Sequence, residues 1–352
     1  MNAGNEAVEK RRIMREIHAD IRAFSVDFEK KLECFEHILV MGHELPDLDV
    51  LGAALGMLSI ARHMKKTCHI VLEEPNVSIH ALWNELRRRW EYDGVFVSAE
   101  QACEMVQEKT VLVIVDTQME SYSYAPELVE AVEDIVVIDH HIKSSDRIKC
   151  PTLVLHETEA SSASELVTGV LRELGAEKVL YPLEAEALLA GIKLDTKGFS
   201  LNTSVATFEA ATFLAAHGAD SDEIHSFFLD DIETFRKRTA IVMGAEFLPG
   251  GIALAHCPGG DVDTPQLLAA QVADELMNIR GMLASFVLCQ RGTDVMISGR
   301  SLGQVNVQSI LSRLNGGGHA NSAGAQLKET DMQTAKGKLL DAIKQYGEET
   351  GQ

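Results

Sequence analysis

The six cysteines of this 352-residue chain, Cys34, Cys68, Cys103, Cys150, Cys257 and Cys289, form no Cys-x-x-Cys pair. That removes the commonest zinc and dithiol signatures and leaves them as buried thiols of a reducing compartment. Long apolar runs are missing too: no stretch reaches about eighteen consecutive apolar residues, so none reads as a membrane span. The N-terminus carries mixed charges at Glu6, Glu9, Lys10, Arg11 and Arg12 and lacks the apolar core of a secretory signal, which places the protein as given in the cytoplasm. Positive charge is scarce. With 32 Lys and Arg against 53 Asp and Glu, the formal net charge is -21. This argues against sequence-independent binding to long nucleic acids, which sets many cations against phosphates. An anionic substrate would need local help, and bound cations are its most direct source. Internal repeats and low-complexity tracts are absent.

What is present reads as a globular protein of two domains, since 352 residues exceed what one hydrophobic core usually serves. Residues 1–35 are a polar, helix-prone lead-in with Ile13, Ile17, Ile21 and Phe24 at three- and four-residue spacing. Short β-branched runs at 38–41, 70–72, 95–97, 111–115 and 135–138 then alternate with helical patterns at 50–65, 78–90, 99–106 and 126–132. Alternation of this kind predicts a mainly parallel sheet with right-handed crossovers. A further strand at 153–155 precedes helices at 163–174, 183–194, 205–217 and 221–242. The turn at Pro249-Gly250-Gly251 restarts strand character, so the domains are expected at 36–242 and 248–352. The second would hold strands at 285–289 and 294–298, a helix at 306–314, a glycine-rich turn, and a terminal helix at 330–346 stopped at Gly347. The fold class expected is α/β: a mainly parallel sheet flanked by helices, then a smaller mixed-sheet α/β domain.

Acidic and histidine-bearing turns stand at the ends of these elements: His43 with Asp47 and Asp49, Asp116, Asp139 with His140 and His141, and Asp195. In a parallel sheet the strand ends converge on one edge. Convergence of carboxylates and imidazoles is what a dinuclear metal site requires, and such a donor set suits Mn²⁺, with Fe²⁺, Co²⁺ or Mg²⁺ as alternatives. Two such ions about 3.5 to 4 Å apart clamp a phosphoryl group for in-line attack by water, so the implied class is phosphoester hydrolysis. Plainer roles stand beside this one. Asp49 can cap the helix that follows it, Asp116 can be a solvated strand end, and Asp139 can be a helix cap followed by two surface histidines. Asp195 follows an apolar helix, where an unpaired carboxylate is costly to bury. In the second domain Gly316, Gly317, Gly318 and His319 form a glycine-rich stretch able to approach phosphate oxygens, with Arg300 and Asn306 upstream. A simple turn, a surface salt bridge and a helix cap are the plainer alternatives. Arg87, Arg88 and Arg89 fan over more than one helix face and read as solvated surface.

Taken together, Gly42-His43, Pro46-Asp47-x-Asp49, Asp116-Thr117, Asp139-His140-His141, Asp195-Thr196 and Gly316-Gly317-Gly318-His319 resemble the DHH phosphoesterase superfamily with its DHH-associated second domain. Three stretches, Ala160 to Leu166, Gly191 to Leu201 and Arg300 to Gln308, are similar to the catalytic part of GdpP-type cyclic-di-AMP phosphodiesterases. Val8-Glu9-Lys10-Arg11 resembles that group's junction with a degenerate GGDEF domain. The chain is thereby expected to be either the cytoplasmic part of a membrane-anchored protein or a version without the sensor half.

The resemblance implies one metal held by His43, Asp47 and Asp116, and another held by Asp49, Asp116, His140 and Asp195. Asp116 would bridge, Asp139 would orient His140, and His141 would face the phosphate. Arg300, Asn306, Gly316, Gly317, Gly318 and His319 would grip the far phosphate and nucleotide of a substrate bound between the domains. Two Mn²⁺ ions and hydrolysis of cyclic-di-AMP to linear pApA follow as expectations. The alternatives are an oligoribonuclease or phosphoadenosine phosphatase of the same superfamily, and a catalytically silent nucleotide sensor. Homodimers are common among such proteins, although no stretch here marks an interface. The chain departs from the pattern at Leu45, at Ile142-Lys143-Ser144-Ser145 and at Asn315, none of them a proposed metal ligand.

Overall fold

The computed structural model describes residues 3–143, 146–229, 232–257, 265–318 and 320–350, except for the side chains of 3–11 and 13. The chain divides into two compact units, Met1–Leu229 and Asp230–Gln352.

In the first unit the strands β1 (His37–Met41), β2 (Thr67–Val71), β3 (Phe96–Val97), β4 (Thr110–Val115), β5 (Asp134–Asp139) and β6 (Leu153–His156) form one sheet in the order β3-β2-β1-β4-β5-β6. Every pairing is parallel. Alternate residues divide between two apolar layers. Ile38, Val40, Val111, Val113, Val136 and Ile138 enter one core, while Leu39, Met41, Leu112, Ile114, Ile135 and Val137 enter the other. Both faces are therefore covered, which explains why these strands read as unbroken apolar runs. The helices are α1 (Ala3–Cys34), α2 (Leu48–His63), α3 (His80–Arg87), α4 (Ala99–Met105), α5 (Pro126–Ala131), α6 (Ala163–Glu173), α7 (Pro182–Asp195), α8 (Val205–Ala216) and α9 (Ser221–Ser226).

The lead-in is part of this unit. Ile17, Ile21, Phe24, Phe28 and Leu32 lie on one face of α1 and are buried in the same core as α2, α6 and α7. Each such side chain contributes about 1.5 to 3 kcal/mol by leaving water. Helices α2 and α7 approach closely because Gly52 and Gly191 carry no Cβ: one on Gly52 would strike the Ala187 carbonyl, and one on Gly191 would lie 2.7 Å from Asp49 Oδ1. Beneath them Glu184, wholly buried, accepts from Arg62 Nη2 (2.7 Å) and Nη1 (3.0 Å), from Ser59 Oγ (2.5 Å) and from the Tyr181 amide (3.0 Å).

The second unit contains α10 (Ile232–Met243), β7 (Glu246–Leu248), β8 (Ile252–His256), α11 (Pro265–Leu276), β9 (Ala284–Arg291), β10 (Asp294–Ser301), α12 (Val307–Leu311), β11 (Gly317–Gly318), β12 (Ser322–Leu327) and α13 (Met332–Thr350). Its sheet runs β11-β12-β10-β9-β8-β7, with β8 and β9 parallel and the other pairs antiparallel. The mainly parallel first sheet and the smaller mixed one match the fold class read from the sequence.

Three expectations need correcting. The helix predicted over 221–242 is two helices, and α10 joins the second unit because Ile241 packs with Ala253, Leu268 and Val272 and Arg238 pairs with Glu275 at 2.8 Å. Helix α13 runs through Gly347 instead of stopping there. The cysteines are not uniformly buried free thiols: Cys34 and Cys150 are exposed, and Cys257 and Cys289 form a disulfide across the β8–β9 pairing, with Cα atoms 4.8 Å apart. No helix among the described residues is long and apolar enough to cross a membrane.

Replacing Glu184 by Ala removes the carboxylate that Arg62, Ser59 and the Tyr181 amide all bond and is expected to cost about 2 kcal/mol, read as a lower urea midpoint. A second test concerns pH. Burial, then the hydrogen bond and charge of Asp20 on α1, with Glu159 and Glu16 adding, push the Glu157 carboxyl up to about 7. A raised folded value means that this contribution is fully present below the usual carboxyl range and is lost as pH rises through 7. Asp20→Asn should therefore raise the Tm more at pH 8 than at pH 5, and equal shifts at both would contradict the assignment.

Candidate metal centre

The strand order of the first sheet reverses between β1 and β4, and a crevice opens outside the carboxyl ends of strands at such a point. The chain leaves β1 through His43, which bridges to Ser123 and stacks on Tyr122 at 5.3 Å between ring centres. Asp47 caps α2, accepting from the amides of Asp49 (2.9 Å) and Val50 (3.1 Å). The cap considered for Asp49 thus belongs to Asp47, because α2 begins at Leu48 and Asp49 lies inside its first turn. Asp49 is wholly buried and accepts instead from Ala163 N (2.7 Å) and Ser164 N (2.8 Å) at the start of α6. The serine-rich stretch before Leu166 supplies those amides.

Asp116 follows β4 with φ at +60°, a region that costs a residue bearing a Cβ and is held only where its surroundings impose it. Asp139 ends β5 and Asp195 ends α7. These elements bring the expected ligands together. His43 Nε2 lies 3.3 Å from Asp116 Oδ2 and 4.0 Å from Asp47 Oδ2. His140 Nε2 lies 3.2 Å from Asp116 Oδ1, 3.1 Å from Asp195 Oδ2 and 3.9 Å from Asp49 Oδ2. His43, Asp47 and Asp116 form one group whose donor atoms lie within 4.8 Å of one another; Asp49, His140 and Asp195 form another, and Asp116, His140 and His141 a third.

Charge in this cluster is unbalanced. Burial, with the charges of Asp116 and Asp195 adding, raises the Asp49 carboxyl well above the usual range. Burial alone would lower His43, yet Asp116 and Asp47 raise it to about 9. His140 is likewise raised against its burial, by Asp116 and Asp195. Burial works to raise Asp116 as well, but His140 and His43 outweigh it and hold that carboxyl low. The cluster draws protons to itself because it lacks positive charge, and a divalent cation supplies that charge without protons. Geometry agrees. Asp116 Oδ1 and His140 Nε2 are buried without a hydrogen bond among the described residues, their close approach lacking the alignment of one, and His43 turns Nε2 towards Asp116 and Asp47 while its Nδ1 is buried without a partner. Imidazole and carboxylate donors with unused lone pairs fit a hard or borderline divalent ion.

The role expected for Asp139 changes. Its Oδ1 takes His141 Nδ1 at 2.8 Å, not His140, because the turn folds the second imidazole back onto the strand end. Burial would raise Asp139, but its bond to His141 lowers it, and Asp139 in turn raises His141. A carboxylate at Nδ1 favours a proton there and assigns proton exchange to Nε2. Gln118, unmarked in the sequence reading, donates from Nε2 to Asp139 Oδ2 at 2.8 Å. His156 Nε2 lies 2.6 Å from the His141 carbonyl. The signal for His156 is strand register, since it sits opposite Asp139 across β5–β6. Ile142 is exposed, and Ser144 and Ser145 lie outside the described residues.

In the second unit several plainer readings hold. Asn306 caps α12, its Oδ1 accepting from Ser309 N at 2.9 Å. Arg300 pairs with Asp274 at 3.4 Å and donates to Ser298 Oγ at 3.2 Å. Gly317 and Gly318 form the edge strand β11, opposite Gly324 and Ala323, while Gly316 is packed so closely that a Cβ would strike the Gly324 carbonyl. Arg300 stands opposite Ser322 on the neighbouring row, so it shares one end of the sheet with Gly318. His319 lies outside the described residues.

Comparison with known proteins agrees with this arrangement. Residues 37–192 match the DHH family, N-terminal domain, and residues 252–349 match the DHHA1 domain. The cyclic-di-AMP phosphodiesterase GdpP of Geobacillus thermodenitrificans is 39% identical over 316 residues, covering 89% of this chain and 48% of that protein. The cyclic-di-AMP phosphodiesterase PdeA of Listeria monocytogenes is 37% identical over 331 residues, covering 92% of this chain and 50% of that protein. The chain thus spans about half the length of these relatives. An exopolyphosphatase-related protein from Bacteroides fragilis has the same fold, with a TM-score of 0.80 at 20% identity over 94% of this chain and 98% of that one. With both domains matched in order and the acidic–histidine cluster in the first unit, the chain carries a DHH family N-terminal domain followed by a DHHA1 domain.

Proposed function

We propose that this chain hydrolyses cyclic-di-AMP to the linear dinucleotide pApA, using two divalent cations, Mn²⁺ by preference. The observation that carries the proposal is Asp116, whose two oxygens approach His43 on one side and His140 on the other. One ion is assigned to His43, Asp47 and Asp116, and the other to Asp49, Asp116, His140 and Asp195. Bound there, the pair would activate water and neutralise the phosphodiester as charge develops on it. Among the chain's own groups, Asp139 and Gln118 fix the His141 ring, and its Nε2 is assigned to protonating the leaving oxygen. Arg300, Gly317, Gly318 and the amide nitrogen of Asn306, whose oxygen is engaged in its cap, are assigned to a substrate phosphate. Gly316 and His319 complete that assignment. The names of the two relatives supply the substrate.

Asp116→Ala and Asp195→Ala should abolish cleavage while circular dichroism stays native, and Mn²⁺ titration by calorimetry should lose most heat in Asp116→Ala, which serves both ions. Normal turnover by both variants with added Mn²⁺ would remove the metal assignment. Asp139→Asn should lower kcat by up to about 100-fold, the low end of what a positioned general acid contributes, because His141 loses the group that orients it. Side-by-side rates on cyclic-di-AMP, pApA and 3′-phosphoadenosine 5′-phosphate with Mn²⁺ decide the substrate. A linear-dinucleotide rate far above the cyclic one assigns the oligoribonuclease reading, and tight binding without cleavage assigns a sensor.

A further inference from the structure

Among the described residues, four buried side-chain atoms lack a hydrogen-bond partner: His43 Nδ1, Asp116 Oδ1, His140 Nε2 and Glu165 Oε1. The first three belong to the metal centre. Glu165 does not, and no group of three potential ligands among the described residues includes it. It lines a separate cavity of about 110 Å³ bordered by α1, α6 and α8. That space exceeds the roughly 30 Å³ that one water occupies in the liquid.

Glu165 is 3% exposed. Its Oε2 is satisfied by the amide and hydroxyl of Ser161, so the unmet demand is the single buried oxygen Oε1. An unpaired buried acceptor is costly and calls for an N–H or O–H donor. At the rim stand two guanidinium groups, each ion-paired with a carboxylate but with donors to spare. Arg22 uses Nε on Glu173 at 3.1 Å, but its terminal nitrogens make no hydrogen bond among the described residues. Arg172 has its nearest carboxylate, Glu209, at 3.9 Å, beyond hydrogen-bond reach. Their side chains are 71% and 42% exposed, as suits groups at a mouth. Between floor and rim the wall includes Ile21, Ala206 and Ala210, all buried.

A ligand complementary to this cavity is cationic inside, anionic outside and small. We propose that the cavity binds a free α-amino acid, its ammonium on Glu165 Oε1, its carboxylate on Arg22 and Arg172, and its side chain against Ile21, Ala206 and Ala210. A simple anion leaves Glu165 Oε1 unmet, and a simple amine makes no use of the guanidinium donors at the rim. The proposal does not depend on the chemistry assigned to the metal centre.

The test is calorimetric titration of the whole chain with each standard L-α-amino acid at millimolar concentration. Any that binds is then compared with its own carboxamide, which lacks the carboxylate, and with the acid lacking its amine. The zwitterion should bind, each one-ended analogue should be about tenfold weaker or worse, and Arg172→Gln should weaken binding by a similar factor. Glu165→Gln should abolish it while circular dichroism stays native. Should that variant misfold by circular dichroism, Ala210→Leu, which fills the cavity and leaves Glu165 intact, should abolish binding in its place. Heat from none of the amino acids shows a cavity holding water only and overturns the proposal, as does undiminished binding in folded Glu165→Gln or in Ala210→Leu.

Discussion

Four carboxylates, Asp47, Asp49, Asp116 and Asp195, are gathered with two imidazoles into a space where ordinary pairing cannot satisfy them all. Buried charge of one sign must be matched, protonated or kept apart. This chain does none of these completely: the imidazoles take up protons, yet three buried donor or acceptor atoms remain without hydrogen bonds. The first unit is built around holding that unfinished arrangement in place. A cation completes it, which is why the site reads as a metal centre even before its relatives are considered.

The holding is done by backbone more than by side chains. Asp49 is fixed by two amides at the start of α6, Asp47 is fixed as the cap of α2, and Asp116 is held in a left-handed conformation by the sheet. Gly191 lets α7 reach Asp49 and deliver Asp195 at its own end. A larger residue at 191 would move the helix that carries one ligand away from the helix that carries another. Strain at Asp116 and close approach at Gly191 are paired features: each places a carboxylate where relaxed geometry would not.

The candidate donors were legible in the sequence because strands buried on both faces appear as short apolar runs, and three of them, β1, β4 and β5, lead into an acid or a histidine. Parallel order then placed those ends together. What stayed hidden depends on geometry at the scale of one turn or one strand pairing. The sequence does not say whether Asp139 folds onto the first or the second histidine, and the structure chooses His141. Gln118 and His156 are marked by no motif, and His156 is found only through its register opposite Asp139. The disulfide between Cys257 and Cys289 joins residues 32 apart, and only the parallel pairing of β8 with β9 makes them neighbours. In the second unit a cap and an ion pair account for Asn306 and Arg300, so substrate contacts there stand on resemblance more than on unmet bonding.

Overall charge adds a final constraint. A chain of formal charge -21 repels a phosphodiester at long range, and the acidic cluster repels it again at short range. Cations bound at the cluster would reverse the local sign, so in the proposed reaction the same ions that would activate water would also decide whether an anionic substrate can approach. Binding and chemistry are then coupled through one set of residues. On the proposed reading, weakening a shared ligand such as Asp116 would affect both together, whereas a change at His141, which lies beside the cluster and is held by Asp139, would separate proton transfer from substrate approach. The division between charge-neutralising and proton-moving groups follows from where the carboxylates sit: Asp116 between the imidazoles of His43 and His140, and Asp139 behind that of His141.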